Sequence, residues 1–132
     1  MLMFPLKKEW YEKIKSGEKR IEYREVKDYW TKLFYNETIE YLKENRERFL
    51  LPSFTEFVKM FNYDPVLFGD GTESVPVIWK CTLRLGYTNR YMTANITRIE
   101  VVDGKDTDLH IDKPVYAIHL AEVKTCYEMS II

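Results

Sequence analysis

The chain has 132 residues, of which 45% are hydrophobic and 31% charged, with a net charge of −1. That is the length of one ordinary domain and the composition of a folded, soluble one. Size excludes a dinucleotide-binding enzyme with a separate substrate domain, charge excludes an indiscriminate nucleic-acid binder, and only 5 Gly and 5 Pro exclude collagen-like or low-complexity sequence.

No apolar run approaches the roughly 20 residues that span a bilayer, so no membrane association is expected. The N-terminal MLMFPLKKEW places apolar residues before lysines, the reverse of a signal peptide, and the expected location is the cytoplasm. Cys81 and Cys126 lie far apart without a CxxC pair, and His110 and His119 are not at ligand spacing from them. Two reduced thiols, no metal and no cofactor are therefore expected.

Residues 2–6, LMFPL, read as a first strand that Pro5 keeps at an edge. Residues 7–16 read as a helix with Trp10, Tyr11 and Ile14 on one stripe, ended by Gly17 at the position after the C-cap. Residues 19–24, KRIEYR, alternate as a strand: Lys19, Ile21 and Tyr23 share one face, and Arg20, Glu22 and Arg24 the other. A short helix over 28–34 follows, with Asp28 as its N-cap and Trp30, Leu33 and Phe34 as its apolar positions. Residues 36–76 read as a helical and loop insertion, with Ser53 capping a helix through Phe54, Phe57, Val58 and Phe61, and residues 64–76 as a loop. From residue 77 the pattern is β. Trp79, Cys81, Leu83 and Leu85 alternate with Lys80, Thr82 and Arg84, and GYTNR (86–90) is a hairpin loop. In the next strand the apolar phase switches after Ile96, which predicts a bulge near Thr97 or Arg98. Residues 115–129 form a last long, bent strand. The expected fold is α+β in a single domain over 1–132. It comprises a small barrel of about five to six mostly antiparallel strands, two or three covering helices and the insertion.

Charge is uneven along the chain. Residues 1–34 hold nine basic and six acidic side chains, +3, and the remaining 98 hold eleven and fifteen, −4. The basic excess surrounds Gly17, Lys19, Glu22 and Arg24, which form a GxKxxExR pattern opening a strand after an amphipathic helix. A lysine on an apolar strand face must emerge at a rim or be paired; desolvated, it can act as a base or nucleophile. Glu22 and Arg24 make an ordinary same-face ion pair, or Glu22 orients Arg24 or Lys19 toward an anion, with Arg20 extending the basic rim. Tyr29 and Trp30 are core aromatics, or one of them is a stacking platform for a base. Glu100 and Glu122 are the carboxylates well inside the late strands, and either could approach Lys19. His119 reads as a core histidine.

Residues 6–30 resemble the opening of the ASCH domain family, a branch of the PUA-like superfamily, whose pattern is a short strand, a helix ending in Gly and then GxKxxExR. The resemblance is strongest over residues 2–34 and compatible over 77–129; residues 36–76 have no counterpart. It implies a small β-barrel with a cleft lined by the motif, binding RNA or a nucleotide through Gly17, Lys19, Arg20, Glu22, Arg24, Tyr29 and Trp30. A bacterial branch looks like amidohydrolases of acylated cytidine, which would make Lys19 and Glu22 catalytic, although that branch has a threonine where this chain has Glu22. A third reading is a protein-interaction module using residues 38–63. On the first reading Lys19 sits at a cleft rim and contributes little to stability, whereas Trp79 faces the core.

Overall fold

A computed structural model describes residues 2–44, 51–63, 66–68 and 79–126. The element order is β1 (Leu2–Leu6), α1 (Lys8–Ser16), β2 (Ile21–Glu25), α2 (Asp28–Glu44), α3 (Phe54–Tyr63), β3 (Val66–Phe68), β4 (Trp79–Leu85), β5 (Tyr91–Asp103), a 3-10 turn at Gly104–Asp106 and β6 (Pro114–Cys126). This is an α+β fold on a mixed sheet. The six strands follow the order β1-β4-β5-β6-β2, with β3 pairing with β5 off that path. β1 runs parallel to β4, Leu2 opposite Cys81 and Leu6 opposite Leu85, and β4 runs antiparallel to β5, Trp79 opposite Ile96. Leu120 N–H donates to the Arg20 carbonyl and Val26 N–H to that of Pro114, so β6 and β2 also run antiparallel.

The chain divides into two compact units. The first comprises Met1–Glu22, Phe68–Ile99 and Ile118–Ile132; the second comprises Tyr23–Leu67 and Glu100–Ala117. In the first, alternation decides which side chains are buried. Trp79, Cys81 and Leu83 on β4 face the same interior as Met92, Ala94 and Ile96 on β5, joined by Phe4 and Ile14. Pro5 lies on β1, at one end of the strand order, where its missing N–H costs no ladder bond. The phase switch in β5 is present: burial passes from Ile96 to Ile99 across exposed Thr97. In β6 the pleat is broken by Glu122, whose φ of 50° lies in the left-handed region.

α1 ends as its sequence directs. Gly17 takes φ 88° and its N–H donates to the Ile14 carbonyl, while the Lys19 N–H reaches the Lys13 carbonyl. A side chain at this φ is strained, and its Cβ would also stand 3.4 Å from the Arg20 guanidinium. Gly17→Ala should therefore cost about 1 kcal/mol or more; a urea midpoint unchanged from wild type would show that the left-handed cap is not required.

In the second unit, Tyr116 and Phe34 pack edge to face at 4.8 Å, and the Tyr116 hydroxyl shares a 2.5 Å hydrogen bond with buried Thr31. Tyr35 joins α2 to α3 by ring contacts at 5.5 Å to Phe54 and 5.4 Å to Phe57, and donates to the Pro52 carbonyl. Ser53 caps α3 as expected, and Glu56 completes a capping box: the Ser53 hydroxyl accepts from Glu56 N–H at 3.1 Å, and Glu56 Oε1 accepts from Ser53 N–H at 3.3 Å. At the turn into β6, a Cβ on Gly104 would stand 2.6 Å from the Lys113 carbonyl, so the close approach of the two backbones requires glycine.

Four local expectations are corrected. The helix expected over 28–34 runs on to Glu44, because nothing between 34 and 44 is a breaker, so no boundary falls at residue 36. Asp28 is the first helical residue rather than the N-cap; the first turn closes from Thr31 N–H to the Lys27 carbonyl. A three-residue strand, VLF, occupies part of the expected loop, consistent with β-favouring residues beside β5. β2 begins at Ile21, so Lys19 precedes the strand and its alternation. The expectations for residues 45–50, 64–65 and 69–78 and for the end of the last strand at 127–129 lie outside the described residues.

Candidate functional site

The early start expected for β2 has a chemical consequence. Because Lys19 lies in the turn after α1, its side chain does not share a face with Ile21 and Tyr23. It meets Glu22 instead, Nζ to Oε1 at 3.5 Å. Both residues are buried, Lys19 at 8% exposure and Glu22 at 5%. The Lys19 ammonium lies 5.0 Å from the centroid of the Trp10 ring, and Lys13 stands at 5.0 Å from the same ring. α1 thus contributes an aromatic surface to the motif lysine, a contact worth more where the cation is desolvated. Trp10 was legible only as part of an apolar stripe.

Arg20 and Gly17 shape the same turn. The Arg20 guanidinium donates to the Ile14 carbonyl at 2.6 Å and to the Lys19 carbonyl at 3.1 Å. It thus gives the Ile14 carbonyl a second donor beside the Gly17 N–H and ties the end of α1 to the turn that carries Lys19. In the second unit, the Arg24 guanidinium lies over Trp30 at 4.9 Å, Trp30 meets Tyr29 edge to face at 5.0 Å, and Tyr29 is 65% exposed. The motif residues therefore form two groupings: Lys19, Glu22 and Trp10 within the first unit, and Arg24, Trp30 and Tyr29 within the second.

The late carboxylates take different places. Glu122 is exposed on β6 and accepts from the Asn95 amide at 2.8 Å. Glu100 belongs to the second unit, where burial raises the Tyr23 pKa and the charges of Asp108 and then Glu100 add to the rise. Glu22, earlier in the chain, reaches Lys19 at 3.5 Å. His119 is half-buried on β6.

Burial pushes the Cys81 thiol up to about 12, against the hydrogen bond with the Ala94 backbone, and the Glu22 charge adds to the rise. It stays a neutral thiol at physiological pH, as expected of a buried structural cysteine. Native protein at pH 8 should therefore show one quickly reacting thiol in an Ellman titration, half-exposed Cys126, and release the second only in denaturant. Labelling of both at one rate would mean that the β4 interior is open.

Among the described residues no group of three or more His, Cys, Asp or Glu side chains is placed to hold a metal ion. No described helix is long and apolar enough to cross a membrane. No protein-family model, no curated protein and no solved structure was found to match this chain.

Proposed function

We propose that this chain is an ASCH-like, PUA-like module that holds an RNA nucleotide through the GxKxxExR segment. The observation that carries the reading is the burial of Lys19 and Glu22 as an ion pair against Trp10. Removing two charges from water costs several kcal/mol per ion before their attraction is counted, and a wet strand edge would never incur that cost. The second unit by itself offers a planar guanidinium suited to phosphate, Arg24 over Trp30, and an exposed Tyr29 ring on which a base can stack. With a net charge of −1, the ligand is a short, specific one rather than a long backbone track.

The test is fluorescence anisotropy with a labelled single-stranded RNA of a few nucleotides, across a salt series. The expected affinity is micromolar or weaker, with a log–log salt slope of about two to three. Tyr29→Ala should weaken binding by about tenfold, one lost stacking contact, without moving the melting temperature. Equal binding by Tyr29→Ala, or undiminished binding to long duplex DNA, would sink the reading.

A second reading is favoured by the 3.5 Å contact itself. A lysine beside a carboxylate is the couple an amidohydrolase acting on a modified nucleoside would use. Lys19→Arg separates the two, because arginine keeps the charge but cannot be deprotonated. Retained RNA binding with no hydrolysis of acylated cytidine by wild type supports the module. Hydrolysis by wild type that vanishes in Lys19→Arg establishes the enzyme.

A further inference from the structure

The first unit carries another polar grouping, distant in sequence from the motif. Lys80 and Asn95 are direct cross-strand partners on β4 and β5, and the Asn95 amide donates to Glu122 on β6 at 2.8 Å. These three side chains form a row across three strands. Together with Thr93 and Lys124, and with Cys81 and Ala94 between them, they line a cleft of about 330 Å³. Small-molecule sites begin at about this size, ~300 Å³.

Two features set the cleft apart from an ordinary wet sheet face. Glu122 is held at φ 50° inside a strand, a strained conformation for a residue with a side chain. It aims a carboxylate at Asn95 rather than at a lysine. Further, no ion pair joins Lys80 or Lys124 to a carboxylate among the described residues. Two cations and one anion thus border one small cleft without neutralising each other there.

We propose that this cleft binds a ribose phosphate. The phosphate monoester sits with the Lys80 and Lys124 ammoniums, which recognise it as point charges. The sugar hydroxyls donate to the Glu122 carboxylate, the way an acidic residue reads ribose in dinucleotide sites. Asn95 fixes that carboxylate, and the Thr93 hydroxyl supplies a further partner at the wall. A bare inorganic anion meets the same lysines but also the negative charge of Glu122, and brings no sugar hydroxyls to offset it. A free sugar phosphate and a 5′-mononucleotide share this chemistry. The proposal does not rest on the motif reading, since the two sites have no residue in common.

The experiment titrates the full chain with ribose 5-phosphate, 2-deoxyribose 5-phosphate, adenosine 5′-monophosphate and inorganic phosphate, following amide chemical shifts at residues 93–95 and 122–124. Ribose 5-phosphate should bind in the millimolar range or tighter, and the deoxy sugar about tenfold more weakly for one lost hydroxyl–carboxylate bond. The pair Lys80→Ala with Lys124→Ala should weaken binding by about tenfold or more while melting as wild type does. Glu122→Ala should erase the preference for ribose over deoxyribose. Tighter binding of the mononucleotide assigns the cleft to nucleotides, and equal binding assigns it to sugar phosphates; both uphold the shared chemistry. Absence of shifts at those amides, inorganic phosphate binding as tightly as ribose 5-phosphate, or a double lysine variant that titrates like wild type would overturn it. Lys19→Arg should leave these titrations unchanged, which keeps a failure here distinct from a failure of the RNA reading.

Discussion

Glu22→Leu should destabilise the protein by about 3–5 kcal/mol, because it leaves the Lys19 ammonium buried without the carboxylate 3.5 Å away. Lys19→Met should cost a similar amount by removing the cation 3.5 Å from the buried Glu22 carboxylate. Combining the two replaces a buried ion pair by apolar groups of similar size, which is often neutral or stabilising, so the double variant should recover most of the loss. The measurement is urea unfolding of all four proteins read as a double-mutant cycle. A coupling energy of several kcal/mol is expected. Single variants that each cost under about 1 kcal/mol and add in the double would mean that the pair behaves as a solvated surface bridge. This result would replace the expectation that Lys19 contributes little to stability. A rim lysine is dispensable to the fold, but a lysine at 8% exposure beside a carboxylate at 5% is not.

Trp79→Ala should be comparably severe, at about 3–5 kcal/mol, the usual cost of deleting a large buried aromatic. Trp79 is 6% exposed at the start of β4, and its cross-strand partner Ile96 is fully buried. Truncation leaves a cavity that neighbouring strands, tied by the β4–β5 ladder, cannot collapse to fill. Tyr87→Ala is the control: Tyr87 is 90% exposed in the hairpin loop, and its loss should stay within about 0.5 kcal/mol. Parallel denaturant curves would decide the matter, and a Trp79→Ala midpoint close to that of Tyr87→Ala would show that this end of β4 is not part of the packed interior.

The β4 alternation, the capped end of α1 at Gly17, the cap at Ser53 and the phase switch after Ile96 are all legible in the sequence. Each is a local rule with a short reach: a period of two, a left-handed position only glycine takes freely, or a serine before an apolar helical run. The length of α2 is not legible locally, because a charged, weakly amphipathic stretch reads equally as a helix continuing or a helix replaced. The parallel pairing of β1 with β4 joins residues about eighty positions apart, as in Leu2 with Cys81, and no local pattern encodes it.

The motif divides in the same way. Spacing along the chain sets Lys19, Glu22 and Arg24 close together after a helix stop, with aromatics following them. Alternation placed Lys19 with Ile21 and Tyr23. The tertiary structure decided otherwise, because the helix cap held by Gly17 and Arg20 delays β2 to Ile21 and leaves Lys19 in the turn, free to fold back onto Glu22 and Trp10. The neighbours of the carboxylates likewise come from packing: Glu122 is held by Asn95 across a strand pair, and Glu22 reaches Lys19. Periodicity gives the face a residue points to; only the meeting of distant strands and helices gives the partner found there, because partner distance is a property of packing and not of spacing along the chain.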